Sequence, residues 1–476
     1  MKHLTQINYL SSKYKFFYLS ITVLFTAIAI NYLLSSSLGL KSIALVGAPI
    51  GILLFVSTLR NIKFGFYISF ISYFMLDFLI RALKIKFTIG VFIEAYTGLL
   101  VLALIYRLWV EKNRKFATSG ITILLALWFV YLSLQIFNPH MLSKAAYIHS
   151  MRTPLYIFCT YLIAYHSLNN LKDLWFMVKV ILIMMSIACL YGIFQEKYGL
   201  LSFDSDWLYS DPERVKLMIT WGRLRKFSIF SGPMPFGVTL AFTGIFSVIL
   251  ALESKKKRHI ILYSLYTLIA LWASVYTGTR TAYILIPFGY IIYLILRLNP
   301  RLVMFSIGLV SLLTVAVAFN HSSGAMHVVR TAFTPNDDPS MQVRLDNQAF
   351  IQPILQSRPF GSGLGRCGHL GAMYSPNTKL GKFPPDSEYV RIAIESGPIG
   401  LFLYMCINGA ILIYGLYYAK MLNNPQLKTI IGAFSVMFFM IILGGYPQEI
   451  ISGSKPLPLF YAFTVAAIAK IPKLDK

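Results

Sequence analysis

Two short stretches of this chain set arginine beside glycine or small hydroxyl residues: Arg225-Lys226-Phe227-Ser228-Ile229-Phe230-Ser231-Gly232-Pro233, and Thr277-Gly278-Thr279-Arg280-Thr281. A guanidinium presents a planar fork of donors that suits phosphate oxygens, and it stays charged beside a membrane. Several such side chains converging would make a pyrophosphate site. Arg223 precedes the first stretch, and Arg330, Arg344 and Arg366 lie farther along, so the candidate pyrophosphate-binding set is Arg225, Arg280, Arg223, Arg344 and Arg366. The plainer alternative is that these side chains snorkel to lipid head groups or pair with Asp204, Asp206, Asp211 and Glu213. For Arg225 and Arg280, at the ends of apolar stretches, function is favoured.

The segment from Pro384-Pro385-Asp386-Ser387-Glu388 to Gly400 reads as the start of a helix, with Asp386 or Ser387 as its N-cap. Asp386 or Glu388 could also act as a general base that takes the proton of an acceptor hydroxyl. A helix N-terminus would stabilise the ionised carboxylate and favour a nearby anionic substrate. His369 is the alternative base, and it follows the run Gly361-Ser362-Gly363-Leu364-Gly365-Arg366. That run lacks the preceding strand and downstream acid of a dinucleotide loop, so it is read as a turn allowing close backbone approach to a ligand or to helix ends. His140, His149, His321 and His327 have no metal-site spacing; no metal and no cofactor are expected.

What must position these residues follows from composition. Of 476 residues 57% are hydrophobic and 13% charged, with a mean hydropathy of +0.65, which calls for a membrane as solvent. The formal charge of +25 arises from 43 Lys and Arg against 18 Asp and Glu. It sits mostly in short runs between apolar stretches, where topology determinants belong, so membrane lipids rather than nucleic acid are the expected partners.

A bilayer core of roughly 30 Å needs about 20 helical residues. On that ruler candidate spans lie near 16–35, 42–59, 64–80, 88–109, 119–137, 153–169, 174–195, 233–252, 259–276, 281–297, 302–319, 398–418, 429–445 and 456–470. The predicted fold class is therefore an all-α polytopic membrane protein of about 12–14 transmembrane helices. The predicted organisation is one membrane domain: residues 1–319 with a connection near 196–232, a large folded loop at 320–397, and the last helices at 398–476. Lys2, Lys13 and Lys15 precede an apolar run without a cleavage site, read as a retained first helix.

Basic connections such as Arg107–Lys115 and Glu253–Arg258 share one side if both termini are cytoplasmic, which leaves 196–232 and 320–397 extracytoplasmic. Arg81, Lys84 and Lys86 depart from this pattern. Asp77 and Glu94 fall inside spans, as an ion path or as partners of polar groups; with no acidic series across the other helices, transport ranks below catalysis. Cys159, Cys189 and Cys406 lie in apolar segments and Cys367 in the large loop, which suggests no disulfide framework.

These stretches, in this order, resemble the bacterial O-antigen ligase and O-antigen polymerase superfamily of integral membrane glycosyltransferases. Arg225 to Pro233 is similar to the family's arginine, turn and helix-opening proline; Thr277 to Ala282 resembles its Thr-Gly-Ser-Arg-Gly-Ala element. Arg344, the 359–365 run and Asp386 to Gly400 resemble its large loop. The resemblance implies a bacterial inner-membrane enzyme with its active site facing the periplasm. Its donor would be a glycan on undecaprenyl pyrophosphate, its acceptor a glycan or lipid A core, and its chemistry inverting, without a metal. Arg225 and Arg280 would bind the pyrophosphate. Where the family's ligases carry a histidine this chain has Asp386, which favours a polymerase of O-antigen, capsule or exopolysaccharide repeats over a ligase. A lipid-linked oligosaccharide flippase or transporter is the reading from another class.

Overall fold

The structure, a computed structural model, describes residues 61–85, 89–111, 119–220, 222–297, 339–453 and 455–475. The spans expected at 16–35, 42–59 and 302–319, and Arg330, lie outside these residues. The chain divides into two compact units, Met1–Ile68 and Ser69–Lys476. Of the first, the described part is the opening of the helix Ile62–Phe74.

Helices stand at every other expected position: Ile62–Phe74 with Leu76–Ala82, Ile89–Val110, Gly120–Leu134, Lys144–Ser167 and Leu171–Tyr198, then Pro233–Glu253, Lys257–Thr277, Arg280–Arg297, Glu388–Met421, Pro425–Gly444 and Pro456–Lys470. Among the described residues 8 helices are long and apolar enough to cross a membrane, or 9 if the bent pair Ile62–Phe74 and Leu76–Ala82 is one span. The protein is thus an all-α polytopic membrane protein, because in lipid each backbone N–H and C=O must find its partner within its own helix. The described β structure is one hairpin, Ile219–Thr220 against Arg223–Leu224.

Among the described helices long enough to cross a membrane, Pro233–Glu253 and Pro425–Gly444 lie innermost, with the shorter helix Pro456–Lys470 buried beside them; the two bury 83% and 72% of their most apolar windows, against 28% for Gly120–Phe137. Both open on proline, whose missing N–H falls where a helix has no acceptor for it. Small residues let them approach their neighbours. A Cβ on Gly237 would meet Thr277 Oγ1 at 2.7 Å, and one on Gly415 would collide with Ser435 of the helix Pro425–Gly444.

The described part of the large connection is folded. Ile351 of the helix Pro339–Ser357 packs with Cys367, Leu380, Phe383 and Ile394 in a core of its own. The long helix Glu388–Met421 is interrupted at Gly397, with φ 76°. The break frees three carbonyls, and each finds a donor: Ser362 N reaches Ile394 O at 2.8 Å, Gly363 N reaches Glu395 O at 3.0 Å, and the Tyr131 hydroxyl reaches Ser396 O at 2.6 Å. The glycine run is therefore the turn expected from sequence, closed on a helix end.

Candidate functional site

The two arginine stretches meet in space. Arg225 Nε donates to the Thr277 carbonyl at 2.9 Å and its Nη2 lies 3.3 Å from Thr279 Oγ1, while Lys226 N donates to Tyr276 O at 2.9 Å. Gly278 sits beneath the guanidinium in the left-handed region, with φ 58°. Thr279 Oγ1 in turn donates to the Pro233 carbonyl at 2.9 Å, tying the turn to the opening of the helix Pro233–Glu253.

Burial pushes the Arg225 guanidinium below its ordinary range, and the nearby Arg280 charge pushes the same way. An arginine cannot shed its proton, so two neighbouring guanidiniums raise the local affinity for an anion. No carboxylate of the described residues pairs with Arg225. Arg280 opens the helix Arg280–Arg297, whose N-terminal N–H groups point the same sign of charge outward.

Arg223 behaves differently. Its Nη2 lies 2.8 Å from Glu196 Oε1, and Lys226 Nζ lies 3.4 Å from the other oxygen of the same carboxylate. The ion-pair alternative describes Arg223, with an acid on the preceding helix rather than those considered in the loop. Arg344 lies in the helix Pro339–Ser357. Arg366 follows the glycine run, and its Nε and Nη1 are buried without an acceptor among the described residues.

One residue that positions the site reads in sequence only as a topological misfit. Arg81 Nε donates to Asp204 Oδ1 at 2.7 Å, Nη1 to Phe230 O at 2.6 Å and Nη2 to Ser228 O at 2.5 Å; arginine and aspartate side chains are 1% and 0% exposed. Tyr191 and Gln195 complete the bonding of Asp204, and Gln195 Oε1 accepts from Ser228 N at 2.8 Å. Lys84 pairs with Asp206 at 2.9 Å. Arg81 and Lys84, two of the cations that break the charge pattern, thus lie against the 196–232 connection, and Arg81 fixes the loop that carries Arg225; Lys86 lies outside the described residues. Asp77 and Glu94 also have cationic partners, Lys455 at 3.7 Å and Arg152 at 2.7 Å.

The base candidates gather at another part of the same bundle. Ser387 is the N-cap of the helix Glu388–Met421 but its side chain makes no capping bond; its Oγ instead lies 3.3 Å from Gly445 O. Asp386 is exposed, with φ 49°. Glu388 is buried, and both oxygens are engaged: Oε2 accepts from Ile451 N at 3.1 Å and Ser452 N at 3.0 Å, Oε1 from Ser452 Oγ at 2.5 Å. His369, exposed on the short helix Gly368–Tyr374, lines a cavity of about 260 Å³ together with His149, Glu388 and Arg391. The rest of that wall is largely apolar and aromatic, with Trp128, Phe129 and Phe158. A polar rim over an apolar wall fits an amphiphilic ligand.

Residues 444 and 445 link the two parts. Gly445 O accepts from Glu388 N at 3.0 Å, while a Cβ on Gly444 would stand 3.1 Å from Leu285, little more than one turn into the helix that Arg280 begins.

No curated protein matches the chain. Residues 265–405 match a family model described as O-Antigen ligase, a stretch that holds Arg280, Arg344, Arg366, His369, Asp386 and Glu388 but not Arg223 or Arg225. Over this segment, a little under a third of its length, the chain is similar to the O-antigen ligase family.

Proposed function

We propose that this protein transfers a glycan from undecaprenyl pyrophosphate to an acceptor hydroxyl at the periplasmic face of the bacterial inner membrane, with both of its termini in the cytoplasm. The observation that carries the reading is Arg225 laid across the Thr277-Gly278-Thr279 turn beside Arg280, without a carboxylate partner among the described residues. In the reaction the acceptor oxygen attacks the anomeric carbon and its proton passes to a base. The bond from that carbon to the phosphate oxygen breaks, undecaprenyl pyrophosphate departs with the electron pair, and the configuration inverts. Fixed guanidiniums aimed at the developing diphosphate charge supply the stabilisation a metal would otherwise give, so the proposed reaction is metal-independent. Arg225 and Arg280 are the proposed pyrophosphate ligands. Asp386 and His369 are favoured as base over Glu388, whose oxygens already accept three hydrogen bonds.

A polymerase of O-antigen, capsule or exopolysaccharide repeat units is favoured over a ligase to lipid A core. Asp386 at the place of the ligases' histidine supports that preference. Purified protein incubated with undecaprenyl-pyrophosphate repeat units, with and without lipid A core, separates them. A ladder of longer lipid-linked glycans, lost in Arg280→Ala, is the expected result. Product that forms only with lipid A core identifies a ligase, and no turnover with any matched donor returns the reading to a transporter.

A further inference from the structure

We propose that Arg366 and Arg358 form a second anion site, built on different elements from the Arg225 and Arg280 pair, which takes the carboxylate or phosphate of an acidic sugar or of an anionic lipid head group. The site follows from geometry; its assignment to an acidic sugar rests on the glycosyltransferase reading.

Arg366 Nε and Nη1 are buried with no acceptor among the described residues. Buried donors without partners are uncommon in folded proteins and unfavourable, more so on a group that keeps its charge. The charge that most acts on Arg366 is another cation. Burial first, and Arg358 second, push its guanidinium below the ordinary range. Arg358 is itself fixed, its Nη1 donating to Ser362 Oγ at 3.0 Å, and Ser362 is held by the bond from its N to Ile394 O at 2.8 Å. Neither arginine pairs with a carboxylate among the described residues.

The backbone between them does not readily yield. Gly361, Gly363 and Gly365 have φ of 80°, 92° and 74°. A Cβ on Gly363 would stand 2.9 Å from the Met141 Cβ, and one on Gly365 2.6 Å from Ala146 O, so the run is pressed against the start of the helix Lys144–Ser167. Two like charges held together by a rigid turn, one of them with unused donors, are relieved by a single bidentate oxyanion. Arg225 rests instead on residues 276–279. Two sources present the same chemistry. His369, three residues after Arg366, lines the cavity of about 260 Å³ where a sugar would fit, while Phe360, two residues after Arg358 and 58% exposed, offers an apolar contact to lipid.

The full-length protein in phosphatidylcholine nanodiscs, titrated calorimetrically with glucuronate and with inorganic phosphate, tests the site. The titration is made in an Arg225→Gln/Arg280→Gln background, so that loss of the donor site and loss of this one are read separately. Binding should survive in that background, fall about tenfold with Arg366→Gln, the weight of a charge-assisted hydrogen bond, and return in part with Arg366→Lys. Nanodiscs containing phosphatidylglycerol distinguish the sources: retained glucuronate binding supports the acidic sugar, and its displacement identifies the lipid head group. Equal binding with and without Arg366→Gln overturns the proposal. Should Arg366→Gln not fold, a glucuronate-dependent rise in the unfolding midpoint of the Arg225→Gln/Arg280→Gln protein supports the site, and no rise overturns it.

Discussion

Arg225 Nε donates to the carbonyl of Thr277 at 2.9 Å across 52 residues of sequence, and the residue that lets it lie there is Gly278. A Cβ on Gly278 would stand 3.4 Å from Arg225 Nε, on a backbone already at φ 58°. Gly278→Ala should therefore cost about 1 kcal/mol of stability from the left-handed backbone. It should also displace the guanidinium, lowering glycan transfer about tenfold. Transfer per folded molecule is the measurement; a wild-type rate in a folded Gly278→Ala protein would remove Arg225 from the site.

Arg225→Lys keeps the charge and loses the fork. If Arg225 both grips the Thr277 turn and presents donors to a diphosphate, lysine restores little, and transfer should stay about tenfold to a hundredfold below wild type. Near-complete rescue by lysine would mean that only a point charge is needed there.

The sequence reveals the helices because lipid demands long apolar runs, and it marks Arg225 and Arg280 because each stands at the end of such a run; that the two stretches meet is a finding of the structure. It does not reveal that Arg223 belongs to Glu196, since that acid lies 27 residues earlier on another element. Nor does it reveal Arg81, which local reading can only mark as a charge on an unexpected side. The N-cap signature at Ser387 gives the position and misses the bond, because the Gly445 carbonyl draws the hydroxyl away. Long-range partners decide each of these cases.

Arg81→Met leaves Asp204 buried with one partner fewer, and breaking a buried pair of this kind costs about 3–5 kcal/mol. The unfolding midpoint should drop, and because Arg81 also holds Ser228 O and Phe230 O, transfer should fall in the molecules that remain folded. Arg81→Met with Asp204→Leu should recover part of the stability without recovering transfer. Recovery of both would reduce Arg81 to a stability element.

Glu388 and His369 should separate by their readouts. Glu388→Gln turns an amide N–H₂ toward the donors of Ile451 and Ser452, which should lower stability by about 1–3 kcal/mol while turnover per folded molecule changes little. His369→Ala or Asp386→Ala, whichever removes the base, should leave the midpoint in place and lower turnover by about a hundredfold or more. The opposite pattern, a stable Glu388→Gln protein without turnover, would make Glu388 the base.

Cys367 reports on whether the large loop stays closed. Its thiol is buried against Glu395, Sγ to Oε1 3.8 Å, and burial pushes it well above the ordinary thiol range. The native protein should therefore resist a maleimide at neutral pH until the core of Ile351, Leu380 and Phe383 opens. In the unfolded chain the same thiol ionises near pH 8.5. The folded state binds the proton more tightly, so its contribution to stability is complete below that pH and declines as pH rises beyond it. The unfolding midpoint should fall more steeply above pH 8.5 in wild type than in Cys367→Ala. Matching slopes, or rapid maleimide labelling of native Cys367, would mean that the loop opens far more often than this core allows.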